Sequence, residues 1–218
     1  MTPLPAPPSG NITAAASAAP ARRALARSRW RLWAGLMAAL LAMVLVTLAM
    51  SPTVTGLRQV VALTARSSAA LFLLAFAASA LARRWPAPAT RWLLAHRRAL
   101  GLAMAGSHGL HALALVGFAT LDPVGFAQAS PLPMRITGGI GYALLLAMVL
   151  TSTDAARARL GARAWGWLHG IGMHWLWLGF TVGFARRLPI SPLYALPVAL
   201  LLAVLALRGW PRSARAAP

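Results

Sequence analysis

The residues of this chain best equipped for chemistry are its five histidines: His96, His108, His111, His169 and His174. Cysteine is absent, which removes disulfides, thiolate metal sites and iron–sulfur clusters at once, and the two acids are Asp122 and Asp154. Imidazole nitrogen is therefore the metal ligand available in quantity. His108 and His111 are three residues apart and share one helix face, with Gly101, Met104 and Leu115 near the same stripe. His169 and His174 are five apart, which turns them about 140° from one another on a helix, so both cannot point at one iron. Gly166 and Gly172 flank His169 on its own face, while Gly170 lies one turn before His174 with Trp167 and Trp177 nearby. Such glycines open a slot for a flat macrocycle, although Gly and Trp also serve ordinary helix packing and membrane interfaces. His96 stands among Arg91, Arg97 and Arg98 and reads as an interfacial residue.

The elements that must position these side chains are apolar helices. The chain is 59% hydrophobic and 11% charged over 218 residues, more apolar surface than one soluble core can bury, so lipid must solvate much of it. A hydrocarbon core of ~30 Å needs about 20 helical residues. Six runs approach that length: Trp30 to Met50, Val60 to Ala82, Ala99 to Ala119, Ile136 to Ser152, Ala164 to Ala185 and Pro192 to Leu207. Arginine clusters or Pro and Gly turn signals bound each of them. The fold class expected is thus an all-α membrane protein, a bundle of six transmembrane helices over residues 29–208. Residues 1–28 read as a disordered basic tail and residues 209–218 as a short basic one. The first run is too long for a signal-peptide core and no small-x-small cleavage site follows Met50, so it is read as retained. Arg66, Ser67 and Ser68 interrupt the second run, which must start late or turn that face to the bundle interior.

All 21 basic residues are arginine, giving a formal charge of +19. They sit in short clusters between apolar runs, and no basic helix face carries the polar readers of a groove or strand, so nucleic acid is excluded as a partner. Lysine-free, alanine-rich usage points to a GC-rich bacterial genome. Sixteen of the 21 arginines fall on one side of a six-span arrangement and five on the other. By the positive-inside tendency both termini are cytoplasmic, in a multi-pass protein of the bacterial inner membrane. The partners this implies begin with the lipid bilayer.

In that orientation the third and fifth spans, which hold every histidine, both begin at the cytoplasm. Facing imidazoles at matched depth are what a bis-histidine haem needs. Counted from Arg98 and Arg163, His108 lies ten residues in, His111 thirteen, His169 six and His174 eleven, so His111 with His174 is the closest match in depth and His108 with His169 the next. Gly138 to Gly141 opens an apolar run with no preceding strand, so no motif supports a nicotinamide or flavin, and none supports a quinone. A rival use of membrane histidines is a small transporter or channel that relays protons or metal ions, but the runs lack acids and show no inverted repeat. A purely structural subunit is a third reading. An intramembrane protease is disfavoured by the lack of acids in the spans and of any Ser–His motif.

The segment from His96 to His111, HRRALGLAMAGSHGLH, resembles the third helix of the ferric reductase-like transmembrane domain, in Arg98, Leu100, Gly101 and His111. Trp165, Trp167, Leu168 and His169 look like the opening of that family's fifth helix. The family includes the haem-binding membrane subunit of the bacterial periplasmic methionine sulfoxide reductase system. The resemblance implies a b-type haem protein that passes electrons from a separate reductase or quinol to a protein partner or an acceptor such as ferric iron. Such a chain would be the membrane electron-transfer subunit of an oxidoreductase. It implies His111 and His169 as axial haem iron ligands, with His108 and His174 behind them. Fuller members carry two histidines on each of these helices; here the distal position of the fifth span falls around Val182 and Gly183, which cannot ligate, so the expectation is one haem b.

Overall fold

In the computed structural model, which describes residues 10–209, the chain is a bundle of helices, and no strand occurs among the described residues. In chain order these are α1 (Gly10–Met50), α2 (Val54–Arg84), α3 (Pro88–Leu121), α4 (Pro123–Ala129), α5 (Leu132–Leu150), α6 (Asp154–Leu160), α7 (Ala162–Ala185) and α8 (Ala195–Gly209), with a 3-10 turn at Pro192–Tyr194 before α8. Five stretches are long and apolar enough to cross a membrane: Arg22–Met50 within α1, Val54–Arg84, Pro88–Leu121, Leu132–Leu150, and Pro192–Gly209, which joins the 3-10 turn to α8. The sixth expected run is the helix α7, but it is not among those five. Trp165, Trp167, Trp175 and Trp177, two histidines and repeated glycines dilute its apolarity.

α1 begins at Gly10, inside the segment whose composition suggested an unstructured tail. Alanine, the best helix former, dominates that stretch and carries the helix through Pro20. The end of the same segment is docked: Arg29 Nε donates to the Ala95 carbonyl at 2.8 Å. Residues 1–9 and 210–218, which include nearly all of the expected C-terminal tail, lie outside the described residues.

α2 is the hub. It packs along α3 and also against α1 and α8. Its buried positions Val60, Thr64, Ser68, Phe72 and Phe76 recur at every fourth residue and so line one face. Against α3 this face is polar at mid-height: Ser68 Oγ donates to Ser107 Oγ at 2.9 Å, Ser67 Oγ lies 2.8 Å from the same atom, and Ser107 Oγ donates to the Thr64 carbonyl at 3.2 Å. Hydroxyl bonds of this kind hold helices together where lipid offers no hydrophobic drive. The two serines of the expected interruption thus face inward, whereas Arg66 is exposed and donates to Tyr194 Oη at 3.2 Å.

α7 packs against α5 and α8. Gly172 allows the close approach to α5, since a Cβ there would meet Met148 Sδ at 2.6 Å. Trp177 Nε1 donates to the Leu201 carbonyl of α8 at 2.9 Å. The start of α7 is set by Gly161 at φ +79°, a backbone region that glycine enters without penalty and that breaks α6 from α7. At the far end of α8, Arg208 donates to the Phe76 carbonyl at 2.9 Å and holds its guanidinium 4.1 Å from the Phe76 ring centre, which fixes α8 to α2.

Candidate functional site

α3 and α7 carry the five histidines and do not pack closely on each other; side chains from α2 and α5 fill the space between them. The site is therefore built by four helices.

His111 is held from α2 through its Nδ1. Its Nδ1 lies 3.0 Å from the Val61 carbonyl and 3.1 Å from Thr64 Oγ1. A carbonyl only accepts, so the proton is assigned to Nδ1, and the Thr64 hydroxyl is free to accept because its own proton goes to the Val60 carbonyl at 2.6 Å. This tautomer leaves the Nε2 lone pair uncommitted. An imidazole whose Nδ1–H is anchored on a carbonyl with Nε2 left free is arranged as metal-binding histidines are.

His108 lies beside it on α3, with ring centres 5.3 Å apart and planes within 10°. The His108 ring also meets Tyr142 of α5 at 4.9 Å and the edge of Phe180 of α7 at 5.7 Å. Among the described residues, two buried side-chain polar atoms have no hydrogen-bond partner, and both belong to this cluster: His108 Nδ1 and Tyr142 Oη. An unsatisfied buried polar group costs ~1–3 kcal/mol, and here the two belong to adjacent rings.

The remaining histidines lie outside this cluster. His174 donates Nδ1–H to the Gly170 carbonyl at 2.7 Å, leaving Nε2 free, and stands edge-on to Phe76 of α2 at 5.9 Å. His169 turns Nε2 to Thr151 Oγ1, at the end of α5, at 3.2 Å and stacks on Trp165 at 4.1 Å. Trp165 Nε1 donates to the Thr151 carbonyl, which locks this corner of α5 and α7. His96 is only 3% exposed; Nδ1 donates to the Trp92 carbonyl and Nε2 accepts from Ser28 Oγ, each at 2.9 Å. Both of its nitrogens are used, so it joins α1 to α3 and has no lone pair for a metal.

α2 gives a common ruler. His111 is fixed at Val61 and Thr64, whereas His174 lies at Phe76, which is roughly 18 Å further along the helix at 1.5 Å per residue. Two nitrogens on opposite sides of one metal lie only about 4 Å apart. The depth match of His111 with His174 that residue counting suggests is not realised, because α2 and α3 continue well past their apolar runs and shift the levels. His169 lies a further turn towards the arginine-rich end of α7, so the structure does not bring His111 and His169 onto one iron either. It brings His108 together with His111, and places His169 and His174 elsewhere. Beyond His174, α7 runs from Trp175 to Ala185 with no histidine, methionine or cysteine. As for fit to haem, His111 has an uncommitted imidazole nitrogen of suitable chemistry, and α7 carries no histidine at its level.

Residue-type reasoning missed Thr64, Tyr142 and Phe180. Thr64 had one available signal, its position on the α2 face a turn before the Ser67–Ser68 pair. Tyr142 follows the Gly138 to Gly141 cluster, where it is the one phenol in an otherwise apolar run.

The model of the family described as ferric reductase like transmembrane component matches residues 62–181, more than half of the chain. No curated protein and no solved structure matches it. The matched region runs from α2 into α7 and takes in Thr64, Tyr142, Phe180 and all five histidines. With its histidines confined to two helices around an apolar, multi-helix core, the chain belongs to the ferric reductase-like transmembrane family.

Proposed function

We propose that the protein is a membrane-embedded electron-transfer subunit that carries one b-type haem on His111 and passes electrons from a separate reductase or quinol to a protein partner or an acceptor such as ferric iron. The family generally binds haem, and the observation that carries the reading here is the anchored Nδ1 and uncommitted Nε2 of His111 inside a four-helix cluster. When bound, haem would supply a one-electron iron couple. The chain's own part is to bind and to insulate. The Val61 carbonyl and Thr64 hydroxyl hold the His111 ring in one tautomer, and Phe180 covers the neighbouring His108 ring edge-on. His108 stands next in line as a group in contact with the site, and His169 and His174 rank behind it as ligands, since each would serve a level nearer the arginine-rich end.

The same reading makes α7, ~36 Å long at 1.5 Å per residue, a sixth span, with both termini cytoplasmic in a bacterial inner membrane. Purification in detergent followed by a reduced-minus-oxidised visible spectrum tests the assignment. A b-type spectrum is expected, retained in His169→Ala and lost in His111→Ala. A colourless preparation, even after haem supplementation, would overturn it.

A further inference from the structure

Arg66 is a charge without a counter-charge inside an apolar helix. It stands roughly 18 Å along α2 from Val54 at 1.5 Å per residue, within a stretch apolar enough to cross a membrane, and it is exposed. A guanidinium that faces lipid is costly unless polar or anionic groups meet it. What meets Arg66 within the chain is one phenol. Arg66 donates to Tyr194 Oη at 3.2 Å, and Arg187 holds a second guanidinium 5.9 Å from the centre of the same ring. Both acids of the chain are engaged elsewhere: Asp154 lies 3.7 Å from Arg98, and Asp122 accepts from the Gly125 amide. Among the described residues neither Arg66 nor Arg187 has a carboxylate partner. Two cations therefore share one neutral ring, and the charge that balances them must come from outside the chain.

The space beside Arg66 suits a particular kind of anion. Gln59, Ala62, Leu63 and Arg66 recur at three- and four-residue steps and so form one stripe of α2. With Val46 and Met50 near the end of α1 they line a cleft of about 580 Å³. Helical side chains lean towards the N-terminus, which carries the long Arg66 side chain towards the level of Gln59 and away from mid-depth. Gln59 is exposed and makes no hydrogen bond among the described residues, so its amide is unspent. Val46 and Met50, 57% and 83% exposed, turn apolar surface outward at the same place. We propose that this cleft between α1 and α2 holds a phospholipid with an anionic headgroup, drawn from the leaflet at the arginine-poor end. Arg66 and Gln59 donate to its phosphate, and an acyl chain lies along Val46, Met50 and Leu63. A free phosphate ion would satisfy the charge but would leave the apolar wall uncovered, which is why the occupant is a lipid.

The test uses the full-length protein in a neutral detergent and a phosphatidylglycerol that carries a photoactivatable diazirine in its acyl chain. Peptide mapping by mass spectrometry is expected to find label on the segments of α1 and α2 that line the cleft, and far less from the matching phosphatidylcholine, whose headgroup has no net charge. Arg66→Gln should lower this labelling roughly tenfold, the weight of one hydrogen bond to a charged group. Arg22→Gln, an exposed position on α1 at the opposite end, should leave it unchanged. Gln59→Leu breaks no hydrogen bond within the protein and should fold as the parent does while also losing label, so the outcome does not hang on the folding of Arg66→Gln. Equal labelling by the two lipids, or labelling that Gln59→Leu leaves intact, overturns the proposal. Labelling abolished by inorganic phosphate alone would also overturn it, because the site would then take an ion and not a lipid.

Discussion

The difference between the five histidines lies in which nitrogen each has already spent. His111 and His174 spend Nδ1 on a carbonyl and keep Nε2, His169 turns Nε2 to a threonine, and His96 spends both. For His96 the consequence is structural. His96→Ala removes two hydrogen bonds between or within α1 and α3 and leaves the Ser28 hydroxyl without its partner, so a loss of about 1–3 kcal/mol is expected. Thermal unfolding in detergent should register that loss while the visible spectrum stays as in the parent. A bleached His96→Ala protein with an unchanged unfolding midpoint would contradict the role given to it here. Side-chain type and spacing could name the five candidates and could set His96 apart from its arginine neighbours. They could not reveal how the nitrogens are committed, because for His111, His169 and His96 that is decided in part by Val61 and Thr64 on α2, by Thr151 at the end of α5 and by Ser28 on α1, groups that sequence spacing does not bring together.

At the scale of elements, the decisive contacts are glycines against flexible side chains and hydroxyls against each other. A Cβ at Gly172 would meet Met148 Sδ at 2.6 Å, whereas one at Gly101 would meet nothing within 4 Å. Gly172→Leu should therefore force α5 and α7 apart and cost about 1–3 kcal/mol, and Gly101→Ala should stay within about 0.5 kcal/mol of the parent. Equal unfolding midpoints for the two variants would show that the α5–α7 contact is looser than described. The helices themselves were largely legible, since a run of about 20 apolar residues has few other ways to satisfy its backbone in lipid. Their ends were not. α2 begins at Val54 and α3 at Pro88, well outside the apolar runs that begin at Val60 and Ala99, because a helix continues through polar residues until a turn stops it, and hydropathy does not see that turn. Those added turns carry the error in the depth count, which took arginines as fixed marks and so paired His111 with His174. The short helices α4 and α6 also escaped notice; each is fixed by a local cap, Asp122 accepting from the Gly125 amide and Thr153 from the Ala156 amide.

Over the whole molecule, the distribution of arginine makes its own prediction. If the side with 16 of the 21 arginines is cytoplasmic, a fluorescent protein fused after Pro218 should fluoresce in cells and a periplasmic reporter at the same place should be inactive. The opposite pattern would overturn the orientation drawn from the arginines, and the same pair of fusions ahead of α1 would then tell a reversed bundle from an odd number of spans. α1 is the most apolar of the five candidate spans and, with α8, among the least enclosed by its neighbours, whereas α7 is too rich in tryptophan, histidine and glycine to rank with them. A ribosome delivers these helices in order. α1, which precedes the others described, is the one that needs no partner to remain in lipid, and the one least able to stand alone arrives after α5 is already there to receive it. Moving α7 ahead of α5 in a permuted chain would hand the membrane its least self-sufficient helix before its support exists, so the order of the genetic message is itself part of how the histidine-bearing helix is held in place.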